Sequence, residues 1–71
     1  MVYQQLKELR DSNGIKQVEI AKFLGVSQNT YSQYENGIIP MTDETLIKIA
    51  DYFQVSVDFL LERTKDKRLH L

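Results

Sequence analysis

Five residues in the middle of the chain, Gln28, Asn29, Ser32, Gln33 and Asn36, are polar, uncharged and spaced for one side of a helix. At about 100° per residue they spread over a single face, opposite Thr30, Tyr31 and Tyr34. That face holds no charge, whereas the outer side of the first helical segment carries Lys7, Glu8 and Asp11. Asn and Ser are mediocre helix formers, because their side chains compete for nearby backbone groups. Something other than helix stability favours them here.

A side-chain amide presents a donor beside an acceptor, which matches N6 and N7 of adenine in the major groove of DNA. A helix fits that groove with its N-terminal residues at the base edges. Gln28 and Asn29 stand in the first turn, and Gln33 lies one turn beyond Asn29. From this helix alone, a face that merely stays wet is an equal reading. The preceding segment decides between them. Gln17 to Gly37 reads as helix, tight turn, helix: Ala21 is small where two helices cross, Gly25 suits a left-handed helix end, and Val26 anchors the turn.

The elements that carry this unit are punctuated by Gly14, Gly25, Gly37 and Pro40. Between them run helical stripes: Val2, Leu6 and Leu9; Ile20, Ala21 and Leu24; Leu46, Ile49, Ala50 and Phe53. Ser27, Thr42 and Ser56 are good N-caps. Each comes with a hydrophobic staple, Val26/Tyr31, Met41/Leu46 and Val55/Leu60. A fourth pair, Ile15/Ile20, places the cap on Lys16, a poor capping residue. The reading is five helices over about 2–12, 17–24, 28–36, 43–53 and 57–63, an all-α fold with no strand pattern. Residues 1–64 form one helix-turn-helix domain, and the charged tail at 65–71 is expected to fray.

Composition removes other classes. A chain of 71 residues is one small domain, burying only about 60% of its unfolded surface. It has no cysteine, and its one histidine, His70, is next to the end, so no metal site, cofactor or disulfide is expected. No nucleophile–base pair or phosphate-cradling glycine loop suggests an enzyme or a small-molecule substrate. No apolar run nears the roughly 20 residues of a membrane span, and no signal peptide is present, so a cytoplasmic protein is expected. The net charge of −1 does not advertise nucleic-acid binding, so that function must rest on a local surface.

The stretches IKQVEIAKFLGVSQNTYSQYENG at 15–37 and LIKIADYFQVSVDFLLERT at 46–64 resemble the Cro/repressor-type helix-turn-helix proteins, the XRE family. The resemblance runs from Leu6 to Thr64 and implies a compact five-helix, lambda-repressor-like DNA-binding domain. It implies that Gln28, Asn29 and Gln33 read bases, with Ser32 on the same face, and that Gln17 contacts a phosphate from the start of the second helix. Lys16, Ser27, Thr30 and Asn36, with the loop after Gly37, complete the expected backbone contacts. Arg10 and Glu35 match a pair that bridges helices one and three in many relatives. Two positions depart from the pattern. Lys16 replaces the usual Ser or Thr, and Tyr31 stands where a small aliphatic is common, its ring expected in the core and its hydroxyl either there or at a phosphate.

The expected function is a DNA-binding transcriptional regulator, a repressor on a palindromic operator, with double-stranded DNA as partner. The alternative is an antitoxin that binds a protein toxin and its own promoter. One module covers about half an operator, so a homodimer is expected. The apolar stripe of the fourth helix is expected to be spent on the core. That leaves Val57, Asp58 and Leu61 on the fifth helix as the dimer surface.

Overall fold

The computed structural model describes residues 2–62, all helix and loop: α1 (Gln4–Ser12), α2 (Gln17–Leu24), α3 (Gln28–Glu35), α4 (Asp43–Phe53) and α5 (Val57–Leu60). Helix α2 packs on α3, α4 on α5, and α1 touches both α3 and α5. One core joins them. Leu6 and Leu9 of α1, Ile20 and Ala21 of α2, Tyr31 of α3, Ile49 and Ala50 of α4, and Val55, Phe59 and Leu60 are all buried in it. Ile15, Val26 and Met41, the outer members of three staples, pack on its edge.

The hydroxyl caps form as their chemistry dictates. Ser27 Oγ accepts from Thr30 N at 3.0 Å, Thr42 Oγ1 from Thr45 N at 3.2 Å, and Ser56 Oγ from Phe59 N at 3.0 Å. Lys16 makes no side-chain cap. Glu19 N and Ile20 N both turn back to Lys16 O, so no cap covers the amides of Gln17 and Val18 at the start of α2.

Three helix ends fall short of the expected bounds. Helix α1 begins at Gln4 rather than at residue 2, because Tyr3 N donates to Glu35 O at 2.9 Å and is held by α3 instead. Helix α5 stops at Leu60, before residue 63, because Glu62 adopts a left-handed conformation with φ 60°. Asn36, expected inside α3, is its C-cap. The expected tail at 65–71 lies outside the described residues.

The turn between α2 and α3 depends on one glycine. Gly25 has φ 75°, and Val26 N closes onto Ala21 O at 3.0 Å. A Cβ at Gly25 would meet nothing within 4 Å, so backbone conformation rather than space selects glycine. Helix α4 ends by the same closure, Val55 N to Ala50 O at 3.0 Å, yet its left-handed residue is Gln54 with φ 57°. That conformation costs an L-residue roughly 1–2 kcal/mol, offset only in part by Gln54 Nε2 donating to Asp51 O at 2.6 Å on the surface. Glycine at this position adds about 0.4–1 kcal/mol of unfolded-chain entropy. Gln54→Gly should therefore raise stability by up to about 1 kcal/mol in urea unfolding. A loss of stability would show that the left-handed turn at 54 carries no strain.

Candidate nucleic-acid interface

Gln28 and Asn29 are exposed at the first turn of α3, and Ser32 and Gln33 are half-buried beyond them. The side-chain amides of Gln28, Asn29 and Gln33 form no hydrogen bond within the described residues. Their donors and acceptors stand free beside one another. Asn36 is different: its Nδ2 donates back to Ser32 O at 2.9 Å and lies 3.4 Å from Ser32 Oγ. It closes the helix end as the C-cap of α3. Ser27 and Thr30 are also tied to each other, Ser27 Oγ donating to Thr30 Oγ1 at 3.0 Å. From Phe23 to Ile47 the chain has no Lys or Arg, so the whole of α3 and both its flanking loops lack a cation. Lys16, the N-cap of α2, and Lys22 within α2 are both exposed.

The orientation of α3 is fixed from behind. Arg10 Nε donates to Glu35 Oε2 at 2.9 Å and Nη2 to Glu35 Oε1 at 3.0 Å, a two-pronged ion pair between α1 and α3. The Glu35 side chain is 1% exposed and that of Arg10 14%. The third prong, Arg10 Nη1, donates to Ile15 O at 3.1 Å and pins the loop into α2. Gln17 Nε2 adds a longer bond to Glu35 Oε1 at 3.4 Å. Gln17, expected to face phosphate, thus turns its side-chain amide inward while its backbone N–H stays uncapped. Sequence reasoning did not find this bond, because nothing local to Gln17 shows that Glu35 lies beside it.

Burial pushes the Glu35 carboxyl up, but the hydrogen bonds and charge of Arg10, with help from Gln17, outweigh it and hold it below its ordinary 4.5. The same neighbourhood contains Tyr31. Its hydroxyl is buried beside the Glu35 carboxylate, so it does not reach a phosphate at the rim. Burial, and then the adjacent carboxylate, push the Tyr31 phenol far up, so it stays protonated.

The apolar stripe of α4 is spent on the core as expected, Leu46, Ile49 and Ala50 buried and Phe53 packed against it, while two apolar residues off the stripe are not. Ile47 is 51% exposed and Tyr52 is 36% exposed. Tyr52 meets exposed Phe23 of α2 with ring centroids 4.8 Å apart. The signal was present in the sequence: Phe23 and Tyr52 both fall off the apolar stripes of their helices. Of the expected dimer residues, Asp58 is exposed, while Val57 and Leu61 are half-buried and Val57 packs on the core edge. No group of side chains among the described residues is arranged to hold a metal. No helix among them is long and apolar enough to cross a membrane.

Two helices meeting at a glycine turn, the second offering an uncharged amide face, define a helix-turn-helix protein. A family model described as helix-turn-helix matches residues 6–60, and the chain belongs to that family, of the Cro/repressor or XRE type. It is 39% identical over 90% of its length to an SPbeta prophage-derived uncharacterized HTH-type transcriptional regulator, YonR, of Bacillus subtilis, covering 59% of that protein. It is 37% identical over 99% of its length to the antitoxin PezA of Streptococcus pneumoniae, covering 43% of it. It is 34% identical over 87% of its length to the cryptic phage CTXphi transcriptional repressor RstR of Vibrio cholerae, covering 55% of it. The chain thus spans about half the length of these relatives. No solved structure matches it significantly.

The Arg10–Glu35 pair makes a testable unit. Removing Arg10 leaves a buried carboxylate uncompensated and should cost about 3–5 kcal/mol. Glu35→Leu should cost less, since Arg10 reaches some solvent, and Arg10→Met/Glu35→Leu should be more stable than Arg10→Met alone. A double-mutant cycle with no coupling would show two independent charges. Because the carboxyl is depressed in the fold, its contribution is complete above the ordinary carboxylate range and is lost as pH falls through the folded value. Acid unfolding followed by circular dichroism should therefore be less steep below pH 4.5 in the double variant.

Proposed function

We propose that this chain is the sequence-specific DNA-binding domain of a transcriptional regulator of repressor type, with α3 in the major groove. The observation that carries the reading is the unpartnered amide row of Gln28, Asn29 and Gln33, mounted on a helix locked from behind by a buried ion pair. Gln28, Asn29, Ser32 and Gln33 read base edges. The uncapped amides of Gln17 and Val18 offer a helix N-terminus to a phosphate beside Lys16. Ser27, Thr30 and Asn36 line the strand backbone on either side. With few cations at this face, affinity depends on amide and backbone donors, and the salt dependence is shallow.

A second reading, the DNA-binding part of an antitoxin, is supported by the likeness to PezA over nearly the whole chain. A toxin gene adjoining this one, and co-purification of the two products, would favour it over a stand-alone repressor.

Gln28→Ala and Gln33→Ala should each cost about 1–3 kcal/mol on the preferred site and little on random DNA. Lys16→Ala should weaken all sequences alike and lower the salt slope by about one. Equal losses for the glutamine variants on both DNAs would remove the base-reading assignment.

The protein acts as a two-fold dimer with Val57, Asp58 and Leu61 near the axis and recognition helices about 34–36 Å apart. Sedimentation on a full operator should find two chains per site. One chain per site would defeat the dimer, and a Leu61→Glu variant that still dimerises would move the interface elsewhere.

A further inference from the structure

Two aromatic rings bridge α2 and α4 at the surface. Phe23 and Tyr52 are both exposed, with ring centroids 4.8 Å apart and planes tilted at 49°. Tyr52 in turn meets Phe53 edge-on at 5.1 Å, and Phe53 packs on the core. The three rings run from the surface to the core as one ladder, so the outer two are held in place while still open to water. Aromatic rings lose little rotamer freedom on binding, and exposed ones are frequent anchors of protein contacts. Neither ring belongs to the amide face of α3 or to the Val57–Leu61 surface of α5.

The charges around the pair select the partner. Glu19 lies one turn before Phe23 on the same face of α2, and Lys48 one turn before Tyr52 on the same face of α4. Both are exposed. The Glu19 carboxylate has no partner among the described residues, and Lys48 has only Glu44 of its own helix, at 3.4 Å and open to solvent. Such an exposed pair is worth little and is readily exchanged. A patch of one sign selects a partner of the opposite sign. An acid and a base beside one apolar centre select a copy of the same patch, since a two-fold axis sets Lys48 of each copy against Glu19 of the other.

We propose that the Phe23–Tyr52 patch binds the same patch on a second copy of this chain, rings against rings at a two-fold axis and Glu19 of each copy against Lys48 of the other. Two rings per copy cover far less than the roughly 800 Å² per partner of a standard interface, so the contact is weak and reversible. On the DNA-binding reading it joins copies at neighbouring sites, where DNA raises their local concentration. The contact itself rests neither on that reading nor on the α5 dimer.

In the full-length ¹⁵N-labelled protein at low salt, where exposed charges are least screened, the amide signals of Glu19, Phe23, Lys48 and Tyr52 should move together as concentration rises. Glu19→Lys and Lys48→Glu should each weaken this association about tenfold or more, because each contact occurs twice and turns from attraction to repulsion. An equimolar mixture of the two variants, one of them labelled, should restore it, since every facing pair is then again of opposite charge. Native signal dispersion checks the fold of each variant, and a folding defect is not repaired by mixing. Patch signals that do not move with concentration, or movement confined to another surface such as Val57–Leu61, would overturn the proposal. So would movement that persists in both single variants, or a mixture that associates no better than its components.

Discussion

A carboxylate with 1% of its side chain exposed is among the most expensive groups a domain of this size can bury, and α1, α2 and α3 are all tied to Glu35 or to its partner. Arg10 answers both carboxylate oxygens from α1 and spends its remaining prong on Ile15 O at the entrance to α2. Gln17 leans in from α2 itself. The backbone of the same residue, Glu35 O, holds Tyr3 ahead of α1. An apolar trio of similar volume would stabilise the fold about as well. It would not fix the rotation of α3, since van der Waals contacts tolerate small rolls that a planar two-pronged pair does not. That rotation decides which side chains face outward, so the ion pair and the amide row are two sides of one design.

The amide row depends on that rigidity for a further reason. Between Phe23 and Ile47 no cation is available to draw a phosphate backbone toward the surface. Charge attraction works at a distance and forgives misplacement, whereas hydrogen bonds of 2.7–3.2 Å do not. On the proposed DNA-reading role, a surface built from amides and uncapped backbone donors needs its helix held in register before DNA arrives. Lys16 fits the same logic. As a cap it leaves the amides of Gln17 and Val18 uncovered, which weakens the helix start slightly and leaves donors beside a positive charge.

What the sequence makes legible divides along locality. Ser27, Thr42 and Ser56 could be read as caps because their partners sit three residues away. Gly25 could be read as a turn because its conformation is its own property. The start of α1 could not, because Tyr3 N finds its acceptor 32 positions later. The inward turn of Gln17 was hidden for the same reason, its partner Glu35 lying 18 positions away. The buried state of the Tyr31 hydroxyl follows from packing around Glu35, which no pattern near Tyr31 encodes. Helix α5 ends early because Glu62 turns left-handed, in a residue type that gives no warning of it. Phe23 and Tyr52 were readable in principle, as aromatics off their stripes, but the stripes alone drew attention to the core.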